Sequence, residues 1–160
     1  MTIEREELEQ RTERLRARMH AEGFNALVIY SDEYRSGHST YLTNYKPINV
    51  IEESPQLVIM IGDAQPVVLL GRLNAYAARD IAWMDDIRGI HQPEEDLPEI
   101  FAPLHGRRSR IGLIGSNLLP VQLFDHIQAA LPDGEFVSRD DIILDLRKIK
   151  SQNEIELMAR

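Results

Sequence analysis

Ser36, His38 and Ser39 are the side chains whose types come nearest to a nucleophile beside its base. A hydroxyl hydrogen-bonded to an imidazole is the arrangement that activates serine for acyl transfer. No G-x-S-x-G turn surrounds these residues, and the side chains of close sequence neighbours rarely converge on one substrate. The sequence therefore predicts a polar loop here and not a serine hydrolase site.

Histidine and carboxylates, which together bind metal ions, come close in sequence at one place. His91 is followed by acids at 94–96, without the H-E-x-x-H spacing that sets two histidines on one helix face. Acids in the first turn of a helix face the positive end of its dipole, which explains Glu94 and Glu95. A second acidic group has no histidine near it in sequence: Asp140, Asp141 and Asp145. We expect no metal site in this chain.

Glycines in the segment IGLIGSN (111–117) raise the question of phosphate binding. Gly112 and Gly115 do not make G-x-G-x-x-G, and no Lys-Ser or Lys-Thr follows them, so the segment predicts only a turn between a strand and a helix. Cysteine is absent from the 160 residues, which excludes thiolate nucleophiles and thiolate metal sites. These residue types therefore make no self-sufficient catalytic centre.

The chain carries 18 Lys and Arg residues against 26 Asp and Glu residues, a net charge of -8. This surplus of acids repels phosphate backbones and anionic lipids, so we expect neither nucleic acid nor a membrane as a partner. The basic cluster GRRSR (106–110) is short and is typical of a solvated loop. The longest apolar run, LVIMI (57–61), is too short to span a bilayer, and the first residues lack the apolar stretch of a signal peptide. These features predict a cytoplasmic protein.

Hydrophobic periodicity predicts about six strands and five or six helices. The apolar run at 25–30 is continuous, which indicates a strand buried on both faces of a sheet. Alternating strands and helices with one hairpin predict a mixed α/β sheet with helices on both faces. The predicted helices cover 2–22, 37–42, 72–83, 93–106 and 120–134, and the other strands cover a hairpin at 56–71 and the segments 85–90, 110–115 and 135–139.

A further helix is predicted to begin at Ser151. Ser151 and Glu154 have the spacing of a capping box, in which each side chain satisfies the other residue's backbone N–H. The apolar residues Ile155, Leu157 and Met158 follow, and no Gly, Asn or Pro closes the helix before Arg160.

Three segments resemble the N-terminal domain of the creatinase, prolidase and aminopeptidase P superfamily of metallopeptidases. They are RTERLRARMHAEGFNALVIY (11–30), YLTNY (41–45) and LRKIKSQNEIELMAR (146–160). Asn44 stands where the family has Gly, and Asn is a residue that tolerates a left-handed turn. The resemblance implies a ribonuclease H-like fold of the creatinase/prolidase type over 1–145. It also implies that 146–160 is a connector and the start of a C-terminal catalytic domain that is missing from this chain.

The resemblance implies an accessory domain, for dimerisation and substrate gating, of a metal-dependent hydrolase such as an Xaa-Pro dipeptidase or aminopeptidase. Such enzymes bind two divalent ions (Mn, Co or Zn) through two Asp, one His and two Glu, all in the catalytic domain. The chain alone is then expected to hold no metal and to hydrolyse nothing. Its implied partners are a second copy and its own catalytic domain. The alternative is a non-catalytic protein-binding module of the same fold.

The resemblance also implies that loop residues of this domain line the rim of a catalytic pocket. Lys46 would pair with a substrate carboxylate, and Tyr45 would stack on a proline-like ring. The alternative is that Tyr41 and Leu42 pack against the sheet while Lys46 is solvated. By position, the candidate substrate-lining residues are His38, Tyr41, Asn44, Tyr45 and Lys46, with Glu52 and Glu53 behind them.

Overall fold

Six strands form one mixed sheet in the computed structural model, which describes residues 3–48 and 54–159. The order across the sheet is β4-β3-β2-β1-β5-β6. Strand β2 runs antiparallel to both of its neighbours, and the remaining pairs are parallel. The mixed sheet and its hairpin are therefore as predicted. The strands are β1 (Ala26–Ser31), β2 (Gln56–Ile61), β3 (Val67–Leu70), β4 (Asp86–Gly89), β5 (Ser109–Ile114) and β6 (Gly134–Ser138).

Helices cover both faces of this sheet, which confirms the predicted fold class. In the described ranges they are α1 (Arg5–Ala21), α2 (Gly37–Thr43), α3 (Arg72–Ala78), α4 (Pro93–Phe101), α5 (Val121–Ala130), α6 (Asp140–Lys148) and α7 (Gln152–Met158). A 3₁₀ turn at Ala102–Leu104 follows α4, because Pro103 has no N–H with which to continue an α-helix.

Helix α6 was not predicted from the sequence. Ile142 and Ile143 are buried, and Leu146 packs against the same core, so the three residues have the spacing of one helix face, a signal that sequence reasoning overlooked. The predicted domain boundary at residue 145 falls inside α6. Where the domain ends stays a prediction.

The alternation of side chains along β1 divides the core into two layers. Leu27 and Ile29 pack on one face with residues of α1, α2, α3 and α6. Val28 and Tyr30 point to the opposite face, where α4 and α5 cover them. All six residues of β1 are buried, as the continuous apolar run indicated. The strand thus fixes the position of α2, which follows it.

Gly115 ends β5 in a left-handed conformation, with φ 75°. A Cβ atom at this position would collide with the carbonyl oxygen of Tyr30 on the adjacent strand. The Gly115 N–H donates to the Asp140 carboxylate at 2.7 Å, so this turn also holds the first residue of α6. A glycine is required here for both the dihedral angle and the close approach.

We predict that Gly115→Ala destabilises the fold by more than the roughly 1–2 kcal/mol of left-handed backbone strain alone. Gly106→Ala is the matched control, because Gly106 has φ 73° and open space around its Cβ position. Urea unfolding followed by circular dichroism measures both changes. Equal destabilisation in the two variants would contradict the close packing of Gly115 against β1.

Candidate functional site

A cavity of about 400 Å³ lies where α2, α6 and α7 meet the start of α1. A cavity of this size holds a ligand no larger than a small peptide. Its lining combines charged, polar and apolar side chains: Ile3, Arg11, Ser36, Gly37, Thr40, Tyr41, Asn44, Lys46, Arg147, Glu154, Leu157 and Met158. The structure brings three predicted rim residues together here, namely Tyr41, Asn44 and Lys46.

Helix α2 places these residues, and its end explains the Asn44 substitution. Asn44 has φ 60°, the left-handed conformation of a helix C-cap, and its N–H donates to the carbonyl of Thr40. Asparagine adopts this conformation at lower cost than most residues, so it can replace the glycine of the related motif. The turn directs the chain from α2 past the cavity mouth, where Lys46 is exposed.

Tyr45 lies in the core and not at the cavity, which corrects its predicted role. Its side chain is 1% exposed, and its hydroxyl donates to Asn74 Oδ1 at 2.5 Å. The same oxygen accepts from the backbone N–H of Ile48 at 2.8 Å, so Tyr45 helps to fix the segment after α2. Stacking of Tyr45 on a substrate ring is not available in this conformation. Glu52 and Glu53 lie outside the described residues.

Tyr41 combines the two roles considered for it. Its ring is buried against the sheet together with Leu42, and it also forms part of the cavity wall. The Arg11 guanidinium lies 4.4 Å from the centre of the ring, within the range of a cation–π contact. Burial raises the pKa of Tyr41 above its usual value, so its hydroxyl remains protonated at neutral pH.

His38 does not line the cavity but contacts a residue that does. Its Nδ1 lies 3.0 Å from Nη1 of Arg147, so the neutral imidazole accepts a hydrogen bond from the guanidinium. Burial, followed by the charge of Arg147, lowers the pKa of His38. Burial likewise lowers the pKa of Arg147. Sequence reasoning missed Arg147 as a site residue, because the contact joins positions 109 residues apart.

Arg11 joins three of the helices around the cavity. It donates to Glu7 at 2.5 Å and to the carbonyl oxygen of Tyr41 at 3.0 Å, and it lies 3.4 Å from Glu154. The Arg11 side chain is 3% exposed. A guanidinium buried to this degree needs such partners to offset its lost hydration. Arg11 therefore fixes α2 and α7 against α1.

Helix α7 begins with the capping box that the sequence predicted. The Glu154 N–H donates to Ser151 Oγ at 3.1 Å, and the Ser151 N–H donates to Glu154 Oε2 at 2.9 Å. Asn153 donates to Glu7 at 2.8 Å, which adds a second link to α1. Burial raises the pKa of Glu7, but hydrogen bonds from Ser151, Asn153 and Arg11 outweigh it, so the pKa lies below its usual value.

The candidate nucleophile and metal residues have other partners. Ser39 Oγ donates to Gln56 at 2.7 Å, so Ser39 does not pair with His38. Within 3–48 and 54–159, no three His, Asp or Glu side chains come together as a metal site would require. The acids of α6 bind neighbouring groups: Asp140 the N–H of Gly115, Asp141 Arg139, and Asp145 Lys148. No described helix has the length and apolar character needed to cross a membrane.

We predict that Arg11→Met lowers the free energy of unfolding by about 3 kcal/mol, because two carboxylates lose their buried partner. Arg5→Met on the same helix is the control, since the Arg5–Glu9 pair is 64% and 46% exposed. Exposed ion pairs contribute little to stability. Urea unfolding measures both variants, and an equally small effect of the Arg11 change would contradict its role in joining the helices.

We also predict a pH dependence from His38. Its pKa is lowered in the folded chain, so the unfolded chain binds a proton that folded His38 does not. The free energy of unfolding should therefore fall as the pH drops below about 6.5 and through the folded-state pKa. His38→Gln should remove the part of this fall in unfolding free energy that His38 causes. His91→Gln, at an exposed position, should leave the fall unchanged. Urea unfolding at about pH 7.5 and about pH 5.5 measures this loss. An identical fall in the free energy of unfolding in the unmodified protein and in both variants would contradict the prediction.

The family model described as Creatinase/Prolidase N-terminal domain matches residues 11–149. A solved structure of the Xaa-Pro aminopeptidase (aminopeptidase P) from Streptococcus thermophilus is 18% identical, with a TM-score of 0.66 over 88% of this chain and 98% of that chain. The Xaa-Pro dipeptidase from Bacillus anthracis is 17% identical, with a TM-score of 0.70 over 93% of this chain. The prolidase from Pyrococcus horikoshii OT3 is 18% identical, with a TM-score of 0.67 over 92% of this chain.

The chain spans only 38% of the length of the dipeptidase and 37% of the length of the prolidase. No curated protein matches the sequence at a significant level. At these identities the solved structures establish the fold, and the family model establishes the relationship. Because that model covers most of the sequence, the chain belongs to the creatinase/prolidase N-terminal domain family.

Proposed function

We propose that this chain is the N-terminal accessory domain of a metal-dependent hydrolase that acts on Xaa-Pro peptides. The observation that carries the proposal is the family match over 11–149, together with the coverage of little more than a third of the related dipeptidase and prolidase. In this proposal the remaining length of such a protein holds the catalytic domain. The absence of cysteine fits a protein of the reducing cytoplasm.

The chemistry of the reaction would belong to the catalytic domain. Two divalent ions, Mn, Co or Zn, would bind there and supply an activated water as the nucleophile. The described residues of this chain do not fit such a site, because their carboxylates are separated and bound to arginines, a lysine and backbone N–H groups. The domain would therefore contribute to binding and not to bond cleavage.

The role proposed for this domain in the substrate site is selection. Asn44, Lys46 and Arg147 lie at the cavity together with the hydroxyl-bearing residues Thr40 and Tyr41. A rim of this kind would admit small substrates and exclude longer chains.

Self-association is the second role that we propose. Helix α3 directs Leu73 and Tyr76 into solvent, with side chains 65% and 77% exposed. Ile48, in the segment that follows α2, is 56% exposed. Large apolar side chains grouped at a surface favour contact with another protein surface. This face supports a homodimer of the complete enzyme.

The protein expressed from its full coding sequence should hydrolyse an Xaa-Pro dipeptide such as Ala-Pro when Mn²⁺ is supplied, and chelation should abolish the activity. The 160-residue chain should have no activity under the same conditions. Product release measured by amino-acid analysis tests both expectations. A full-length product that is folded, loaded with metal and inactive on every Xaa-Pro dipeptide would contradict the proposal and favour the protein-binding module instead.

A further inference from the structure

Arg147 forms no salt bridge with a described carboxylate, although the charge of Glu154 acts on it from a longer distance. In the described parts of the chain, no carboxylate oxygen lies within 4.0 Å of its guanidinium nitrogens. Its hydrogen bond to His38 joins it to a neutral acceptor. The six other described arginines that are buried or half-buried each have a carboxylate partner: Arg11, Arg16, Arg18, Arg88, Arg110 and Arg139.

The fold holds this guanidinium in place at the cavity. Gly37 has no side chain, and a Cβ atom there would lie 2.5 Å from Nη2 of Arg147. The guanidinium therefore lies directly against the backbone at the beginning of α2, while Nη1 is held by His38. A guanidinium has several N–H donors, so most of those on Arg147 remain for a ligand.

The acid that lines the same cavity is already engaged. The Glu154 carboxylate accepts the capping hydrogen bond from the Ser151 N–H and forms an ion pair with Arg11 of α1. Lys46 is exposed at the cavity mouth, with no ion pair to a described residue. The cavity thus presents two available cations, Lys46 and Arg147, and no available carboxylate.

The remaining lining sets the kind of anion that fits. Ile3, Leu157 and Met158 add an apolar part to the lining of the cavity that holds the guanidinium. A planar guanidinium matches the two oxygens of a carboxylate, and an apolar wall favours a ligand with a hydrocarbon part over a bare inorganic ion. We propose that this cavity binds a small organic carboxylate, held by Arg147 as the specific partner and attracted by Lys46.

This inference rests on the proposed function for its biological meaning, since the carboxylate would then be that of a peptide substrate or product. The binding itself needs only residues of this chain. It can therefore be measured on the 160-residue protein without metal or catalysis, and its failure would leave the proposed hydrolase function to be tested separately.

The test is an amide NMR titration of the chain with N-acetylglycine and with its neutral analogue N-acetylglycinamide, at constant ionic strength. N-acetylglycine should cause saturable shifts of Gly37, Thr40, Asn44 and the Arg147 side chain, and the amide should cause none. Arg147→Gln should weaken binding by about tenfold or more, as expected for the loss of a charged hydrogen-bonding partner. Arg35→Gln, at an exposed arginine paired with Asp32, should have no effect.

Lys46→Gln keeps the inference testable if the Arg147 variant is misfolded, because Lys46 is exposed and contributes charge alone. It should weaken binding of N-acetylglycine by about twofold to fivefold. Equal binding of acid and amide, no saturable shift with either compound, or full affinity in a folded Arg147→Gln protein would overturn the proposal. Tighter binding of inorganic phosphate than of N-acetylglycine would overturn the assignment to carboxylates.

Discussion

A single buried guanidinium, that of Arg11, holds together the part of the molecule that contains the cavity. Removing a cation from water costs several kcal/mol, and here Glu7, Glu154, the Tyr41 carbonyl and the Tyr41 ring offset that cost. Helices α2 and α7 are each seven residues long, too short to be stable alone in water. Their positions therefore depend on tertiary contacts, and Arg11 supplies a contact to both.

The two arginines of the site differ in what surrounds them. Arg11 donates from both terminal nitrogens to acceptors of the fold, while its buried Nε has no partner among the described residues. Arg147 is held from one side by His38 and Gly37, while the cavity lies on the other side. Because α6 contributes Arg147 and α7 contributes Glu154, Leu157 and Met158 to the lining, the segment that resembles a family connector also builds the cavity. The connector is in this sense part of the binding surface that we propose.

Local sequence signals were sufficient for most of the fold. The continuous apolar run of β1 indicated burial on both faces, the Ser151–Glu154 spacing indicated the start of α7, and Asn44 was compatible with a left-handed turn. Each of these features depends on residues close together in the sequence. Helix α6 was missed although Ile142, Ile143 and Leu146 have the spacing of one helix face, since the helix is only nine residues long and begins directly after β6.

The site was less predictable because its contacts are distant in sequence. In the sequence alone, the Tyr45 ring is a possible surface for stacking. In the structure its hydroxyl donates to Asn74 on α3, which follows two further strands in the chain. No local pattern could place Arg147 beside His38. The motif around Tyr41, Asn44 and Lys46 indicated a segment that lines the cavity, but the contribution of α6 and α7 to that cavity had no local signal.

The most direct measurement of the central claim is to sequence the source gene beyond the codon for Arg160. We predict an open reading frame that continues into a domain with two Asp, one His and two Glu in the order of a metallopeptidase. A stop codon at that point, or a following domain in which those five ligands are replaced, would contradict the assignment as the accessory domain of a metal-dependent hydrolase.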